Sequence, residues 1–304
     1  MDYPSLRRQM QGVAVTHITP FDREGAVDLA ALRRHVRFLV ENGIKIVVTN
    51  GNTAEFYALT RDECRQALET VVAEVGSEAV VVAGIGHDPQ TAAAMAREAE
   101  RAGAHAVMVH HPVHPYPVAA GLKDYFDRIA EAVGIGVIPY VRQPVIDIDV
   151  LAHVARHANV VACKYAVNDL QLFGEVVTAL PADEVGITWM CGTAEAWAPF
   201  FFAIGARGFT SGLANVAPSM ALEMLSALQA GDAGRVMTLW HKIRPFEALR
   251  ARKGSGLNVS VVKAAMEMVG MPAGGVRPPS APLEPQEEAE LRQILQRWGL
   301  LPAA

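Results

Sequence analysis

The sequence predicts an α/β protein, a (β/α)8 TIM barrel with a C-terminal helical extension. Within residues 1–230, eight short apolar runs alternate with stretches whose apolar residues recur at helical spacing. Parallel strands need helical crossovers, and eight such units match the usual barrel size of about 250 residues. An open doubly wound sheet is the alternative, and it is disfavoured because no GxGxxG motif opens the first crossover.

Each predicted strand is a run of apolar, mostly β-branched or small residues bounded by polar residues or glycine. The eight strands are expected at 12–18, 44–49, 79–83, 106–109, 136–140, 160–164, 187–191 and 208–211.

Each predicted helix has an apolar stripe, and several have recognisable ends. A C-cap lies at 42–43, a capping box joins Thr60 to Glu63, and an N-cap at 88–89 places proline in the first helical position. The crossover helices are expected at 28–42, 60–75, 89–103, 122–133, 147–157, 169–180, 197–201 and 218–230.

The chain is expected to have two parts. Residues 1–230 form the barrel with the catalytic site, and residues 231–304 form a helical segment packed on it. Apolar spacing predicts helices around 261–269 and 291–298, and the Pro- and Gly-rich residues 270–285 predict a linker between them.

Composition excludes several classes of function. The net charge is −5 and no stretch is strongly basic, so a nucleic-acid partner is not expected. Residues 1–11 are polar with no apolar segment after them, unlike a signal peptide, and the most apolar stretch, 196–206, is too short to span a membrane. The cysteines Cys64, Cys163 and Cys191 lie far apart in apolar patterns, which predicts reduced thiols and a cytoplasmic location.

Residues 160–164 predict a buried strand that ends in Lys164. Either its stem covers apolar surface while its ammonium reaches water, or its desolvated amine has a lowered pKa and forms a Schiff base with a carbonyl carbon. The second interpretation is favoured because other reactive residues also fall at the C-terminal ends of strands, where barrel enzymes have their active sites. An iminium at Lys164 would allow an adjacent C–C or C–O bond to form or break.

Further candidates for the site follow neighbouring strands. Tyr140 is a candidate proton donor and acceptor at the imine. The alternative is a half-buried structural tyrosine whose hydroxyl only anchors the ring by a hydrogen bond. The loop Gly51-Asn52-Thr53 can bind a substrate carboxylate through backbone N–H groups and a hydroxyl, or be an ordinary turn. Arg142 either pairs with a second carboxylate or is a surface arginine. The remaining candidates for substrate binding are Gly192, Thr210 and Ser211.

A histidine-rich loop follows the fourth strand. His110, His111 and His114 could hold a divalent metal, which would make this a metal-dependent barrel enzyme. No HExxH motif is present and the loop has no carboxylate, so no metal is expected. The favoured interpretation is that His114 shapes the substrate end of the pocket while the others pack the loop.

From end to end, the chain resembles the dihydrodipicolinate synthase/N-acetylneuraminate lyase family of class I aldolases. The resemblance rests on Lys164 after its apolar run, the Asn-Asp pair at 168–169, the tyrosine-to-proline stretch 140–144, the loop 51–55, and the stretch 208–218. It implies a (β/α)8 barrel, a covalent lysine imine without other cofactor, a small 2-keto acid as substrate, and a homotetramer built as a dimer of dimers.

Some residues depart from the synthase pattern. The synthase has a relay of two tyrosines and a threonine, and Asn52 stands in the threonine's place. The second tyrosine, which a neighbouring subunit donates in the synthase, is replaced near 113–114, and Tyr116 lies close but out of register. Arg142 follows the tyrosine by two residues, which is similar to the branch that dehydrates 5-dehydro-4-deoxyglucarate, as is the Glu-Phe pair at 55–56. We therefore expect an aldolase or dehydratase acting on a sugar-acid-like 2-keto acid.

Several alternatives stay open at this point. The resemblance also allows a 4-hydroxy-tetrahydrodipicolinate (dihydrodipicolinate) synthase that condenses pyruvate with an aldehyde, or a 5-dehydro-4-deoxyglucarate dehydratase. Outside this class stand a metal-dependent barrel enzyme, which chelators would inhibit, and a keto-acid binder, which would form an imine without turnover.

Overall fold

The computed structural model describes residues 2–302. Eight parallel strands close into a barrel in chain order, and the first strand pairs with the last. The predicted (β/α)8 barrel is therefore confirmed. The strands are β1 (Val13–Thr16), β2 (Ile46–Thr49), β3 (Val80–Ile85), β4 (Ala106–Val109), β5 (Gly136–Val141), β6 (Ala162–Tyr165), β7 (Thr188–Cys191) and β8 (Gly208–Ser211).

Helices cover the outside of the barrel and form the C-terminal segment. Most predicted helix ends differ from the observed ends by only a few residues. Differences of this size are usual because the terminal turns of a helix depend on local contacts. The helices are α1 (Tyr3–Gln9), α2 (Leu29–Glu41), α3 (Arg61–Val75), α4 (Pro89–Ala102), α5 (Ala119–Ala130), α6 (Ile148–Val154), α7 (Leu170–Ala179), α8 (Ala182–Val185), α9 (Ala198–Ile204), α10 (Pro218–Ala230), α11 (Ala233–Ser255), α12 (Asn258–Met268) and α13 (Pro285–Arg297).

Helix α1 closes the N-terminal end of the barrel and was not predicted. The side chain of Leu6 in this helix is buried among the inward-facing residues of the strands, and so is that of Met10, which directly follows the helix. A seven-residue helix with one buried residue, Leu6, has too little apolar periodicity to be detected in the sequence. The predicted helix signals further along are present: the capping box of Thr60 and Glu63 opens α3, and Asp88 caps α4.

The apolar side chains form two clusters because successive residues of a strand face opposite sides. One cluster fills the barrel interior, and the other lies between the strands and the helices. On β6 this alternation places Cys163 in the outer cluster and turns Lys164 inward. This strand begins at Ala162, two residues later than predicted, since Val160 forms only an isolated bridge with Val137.

The C-terminal segment continues the outer apolar cluster. Helix α11 packs on α10 and α12, and α12 contributes Val261, Val262 and Met266 to the cluster that covers the strands. Residues 252–254 kink the end of α11 and turn the chain back toward the strand ends. Among the helices within residues 2–302, none is both long enough and apolar enough to cross a bilayer.

Candidate active site

A cavity of about 280 Å³ opens at the C-terminal ends of the strands. This size suits a small-molecule ligand. The predicted site residues that line it are Asn52, Thr53, Tyr140, Arg142, Lys164, Gly192, Thr210 and Ser211. Gly51 is buried just before this lining, whereas His114 is exposed on the loop after β4 and does not line the cavity.

Lys164 lies on the inner face of β6 and is only 5% exposed. Its register partner on β5 is Tyr140, and its Nζ lies 3.9 Å from the centre of the Tyr140 ring. Burial disfavours the ammonium form and the nearby charge of Arg142 adds repulsion, so the pKa of Lys164 falls to about 7. A substantial share of this amine is therefore neutral and nucleophilic near neutral pH.

The other buried lysine, Lys263, has a different environment from that of Lys164. Its Nζ lies 2.6 Å from a carboxylate oxygen of Glu55 and donates to the carbonyl of Gly275 at 2.7 Å. Among residues 2–302, Lys164 has no such carboxylate partner. A buried amine without a counter-charge is typical of a reactive lysine, whereas a paired one is typical of a structural ion pair.

Tyr140 presents its phenol beside the amine. The side-chain amide of Asn52 donates to the phenolic oxygen at 3.4 Å, so the phenolic proton is directed elsewhere. Burial raises the pKa of Tyr140, which keeps the phenol protonated at neutral pH. The group can therefore donate a proton inside the cavity.

The loop after β2 brings polar groups close to the end of β1. A Cβ on Gly51 would lie 2.5 Å from the Thr16 side chain, so the close approach requires glycine. A short 3-10 helix, Asn52–Ala54, follows, and Glu55 then takes a left-handed conformation with φ of 60°. Thr53 is buried except where it faces the cavity.

Arg142 lies exposed at the rim of the cavity. Its guanidinium carbon is 6.0 Å from the centre of the Tyr140 ring. Among the residues that the structure describes, it forms no ion pair. Its charge is therefore available for an anionic ligand.

The cavity wall also includes residues from the C-terminal segment, which were not predicted from the sequence. Arg250 donates to both carboxylate oxygens of Glu247, at 2.6 and 2.8 Å, and both residues line the cavity with Asn258. Glu247 and Arg250 lie three residues apart on α11, a spacing so common on helix surfaces that it gave no usable signal.

Glu195 lies behind this wall and was also missed. It is fully buried, and Ser211 Oγ donates to its carboxyl at 2.5 Å. Burial and the nearby Glu247 carboxylate raise the pKa of Glu195 to about 8. The group is therefore mostly protonated at neutral pH and adds little charge to the site.

The three histidines after β4 differ in burial: His110 is buried, His111 is half-buried and His114 is exposed. His110 is buried and stacks on Phe56 with ring centres 4.3 Å apart, and its Nε2 donates to the carbonyl of Asn50 at 2.9 Å. Burial lowers the pKa of His110 to about 3, so it stays neutral. Within residues 2–302, no three potential metal ligands converge at this loop or elsewhere.

Comparisons with known proteins identify the family of this chain. The model of the dihydrodipicolinate synthetase family matches residues 9–298. A protein of Rhizobium rhizogenes named probable 5-dehydro-4-deoxyglucarate dehydratase is 32% identical, with 92% of each chain covered. A 4-hydroxy-tetrahydrodipicolinate synthase of Methanothrix thermoacetophila is 33% identical, with 95% of this chain and 97% of its own covered.

Solved structures support the same family. The dihydrodipicolinate synthase of Oceanobacillus iheyensis has a TM-score of 0.96 and 40% identity, covering 99% of this chain and 100% of its own. The enzyme of the same name from Bacillus clausii has a TM-score of 0.94 and 42% identity, covering 97% of this chain and 99% of its own. Family members act on small keto acids through a lysine Schiff base with pyruvate and without a metal. The chain therefore belongs to the dihydrodipicolinate synthetase family and is a lyase of its Schiff-base class.

Proposed function

We propose that Lys164 forms an imine with the keto carbon of a sugar-acid-like 2-keto acid, and that the enzyme then dehydrates or cleaves this substrate. One observation supports this most directly: the Lys164 amine is buried without a counter-charge, 3.9 Å from the Tyr140 ring. In this proposal the neutral amine attacks C2, and Tyr140 donates the proton with which the carbonyl oxygen leaves as water.

The iminium then acts as an electron sink. Loss of a proton from C3 gives an enamine, and expulsion of hydroxide from C4 completes a dehydration. Alternatively, loss of the C4 hydroxyl proton allows the C3–C4 bond to break, which releases an aldehyde and leaves the enamine of the smaller keto acid. Protonation of that enamine at C3 then gives back the imine. In both cases hydrolysis of the imine returns the free amine of Lys164.

The cavity suggests how such a substrate would lie. The loop of Gly51, Asn52 and Thr53 would hold the carboxylate next to the keto group. Gly192, Thr210 and Ser211 would contact the chain beyond it, and Arg142 would bind an acidic far end. The polar wall formed by Glu247 and Arg250 suits the hydroxyl groups of a sugar acid, because a carboxylate accepts hydrogen bonds from them.

Imine trapping tests this proposal. Incubation with pyruvate and borohydride should add one reduced pyruvyl group, located on Lys164 by peptide mass spectrometry. Lys164→Ala should fold normally and lose the adduct and all turnover, whereas Lys45→Ala, which removes an exposed lysine, should behave as wild type. Full activity in Lys164→Ala, or an adduct only on other lysines, would refute the proposal.

A second candidate is the condensation of pyruvate with an aldehyde, as the names of the solved relatives suggest. Against it, Asn52 contacts the Tyr140 phenol where the synthase pattern has a hydroxyl, and an amide does not pass on a proton in the same way. A panel of 2-keto sugar acids, compared with pyruvate plus a panel of aldehydes, separates the two. Chelator-sensitive activity that resists borohydride would instead indicate a metal enzyme.

We also propose that the enzyme works in the cytoplasm as a homo-oligomer, a dimer of dimers. The loop that carries His114 exposes Val113 and Tyr116, with 62% and 82% of their surface accessible in the single chain. A second copy that covers this loop would bring His114 to a subunit interface. Light scattering coupled to size exclusion should give four times the chain mass of 32.6 kDa; a monomer would refute this assembly.

A further inference from the structure

A continuous line of polar contacts connects the C-terminal segment to the loop after β2. Arg250 binds Glu247 through Nη1, and its Nη2 donates to Asn258 Oδ1 at 2.5 Å. The side-chain nitrogen of Asn258 in turn lies 3.5 Å from Thr53 Oγ1. Glu247 and Arg250 are 7% and 6% exposed, and all four residues border the cavity.

The hydrogen-bond polarity along this line follows from the arginine. A guanidinium can only donate, so the Asn258 oxygen must face Arg250, and the Asn258 NH2 group must face Thr53. The hydroxyl oxygen of Thr53 is then an acceptor for Asn258, and the hydroxyl proton is left for another partner. Because Thr53 faces the cavity, that proton is available to a bound anion.

We propose that Asn258 is a positioning residue that makes Thr53 a hydrogen-bond donor to the carboxylate of the keto acid. This inference rests on the function proposed above and assigns part of the carboxylate site to the C-terminal segment. The close packing of Arg250 on β8 supports it, because a Cβ on Gly212 would lie 2.1 Å from Arg250 Nη2. The arginine is thus held in place on three sides, by Glu247, Asn258 and Gly212.

The test uses pyruvate as the probe and measures how the borohydride-trapped adduct depends on pyruvate concentration. Asn258→Asp keeps the shape of the side chain but can accept the Thr53 proton, which turns the donor away from the carboxylate. We expect its half-saturating concentration to rise at least about tenfold, as for the loss of one hydrogen bond to a charged group. Adduct formation at saturating pyruvate should still occur, because Lys164 is intact.

Three controls separate positioning from general damage. Asn42→Asp, on the surface after α2, should match wild type. Thr53→Val alone and Asn258→Ala alone should each raise the half-saturating pyruvate concentration. The double variant should have the same value as Thr53→Val alone, because Asn258 acts through the Thr53 hydroxyl. Hydroxyacetone, a ketone without a carboxylate, should be trapped about equally by wild type and Asn258→Asp.

The possible results are distinct. Wild-type pyruvate dependence in Asn258→Asp, fully additive effects of Asn258→Ala and Thr53→Val, or an equal loss with hydroxyacetone would each overturn the positioning role. If Asn258→Asp fails to fold, the Asn258→Ala and Thr53→Val cycle decides alone. If wild type itself forms no adduct, the proposed function fails instead.

Discussion

Two buried groups near the cavity, Lys164 and Glu195, have their charged forms disfavoured by the same cause, the loss of water. For Lys164 this lowers the pKa from 10.5 to about 7. The neutral amine is the nucleophile, so the initial rate of pyruvate adduct formation should rise through pH 7 and level off above about pH 8. Borohydride quenching at fixed times between pH 5.5 and 9 measures this; a rise only near pH 10 would contradict it.

Glu195 gives a prediction about stability. Its pKa is raised from 4.5 to about 8 by burial and by Glu247, so its ionisation opposes folding. The resulting stability is complete below pH 4.5 and is lost as the pH rises through 8. Glu195→Gln keeps the shape and stays neutral. It should melt like wild type at pH 5 and at least about 5 °C higher at pH 9.

Thermal unfolding at pH 5, 7 and 9 tests the role of Glu195. The matched change Glu175→Gln, at an exposed position in α7, should leave the melting temperature unchanged at every pH. A Glu195→Gln variant that melts below wild type at pH 9 would mean that the carboxylate is stabilised in the fold.

At the scale of elements, the end of β8 is fitted to helix α11. Gly212 has φ of −101°, which other residues adopt freely, so the contact with Arg250 is what requires glycine. Gly212→Ala should displace the arginine, lower stability by about 1–3 kcal/mol, and weaken pyruvate binding as Asn258→Ala does. Urea unfolding and imine trapping measure both effects. Gly275→Ala is the control, because a Cβ there meets no atom within 4 Å. Unchanged stability and unchanged pyruvate binding in Gly212→Ala would contradict the prediction.

Elements also determine how much of the site could be predicted from the sequence. Lys164 and Tyr140 could be placed because each lies near the C-terminal end of a short apolar strand, and in a barrel all such ends meet in one place. Glu247, Arg250 and Asn258 could not, because they reach the cavity only after α11 and α12 fold back over the barrel. Their local pattern is that of an ordinary helix surface.

For the whole molecule, a cluster of charges connects the C-terminal segment to the barrel. Glu55, directly after the 3-10 helix that carries Thr53, has one carboxylate oxygen 2.6 Å from Lys263 Nζ and accepts the backbone N–H of Arg277 at 2.8 Å. Both cations lie over the ring of Phe21, at 4.0 and 4.2 Å from its centre. The loop that would hold the substrate carboxylate therefore depends on residues more than two hundred positions away.

Removing the amine of Lys263 tests this dependence. Lys263→Met should cost roughly 3–5 kcal/mol of unfolding free energy, because it leaves the buried Glu55 carboxylate without its partner. Adding Glu55→Gln should recover much of that loss, since the double variant buries no unpaired charge. Lys253→Met, which removes a half-exposed ammonium from its ion pairs instead, should leave the urea midpoint nearly unchanged.

Urea unfolding of the two single variants and the double variant gives the coupling between Lys263 and Glu55. If the double variant were as unstable as the sum of both single changes, the contact between Lys263 and Glu55 would contribute nothing to the free energy of unfolding. If the coupling is large, the same variants should also bind pyruvate more weakly, because Glu55 adjoins the loop of Thr53. A single contact would then link the stability of the molecule to the geometry of its carboxylate site.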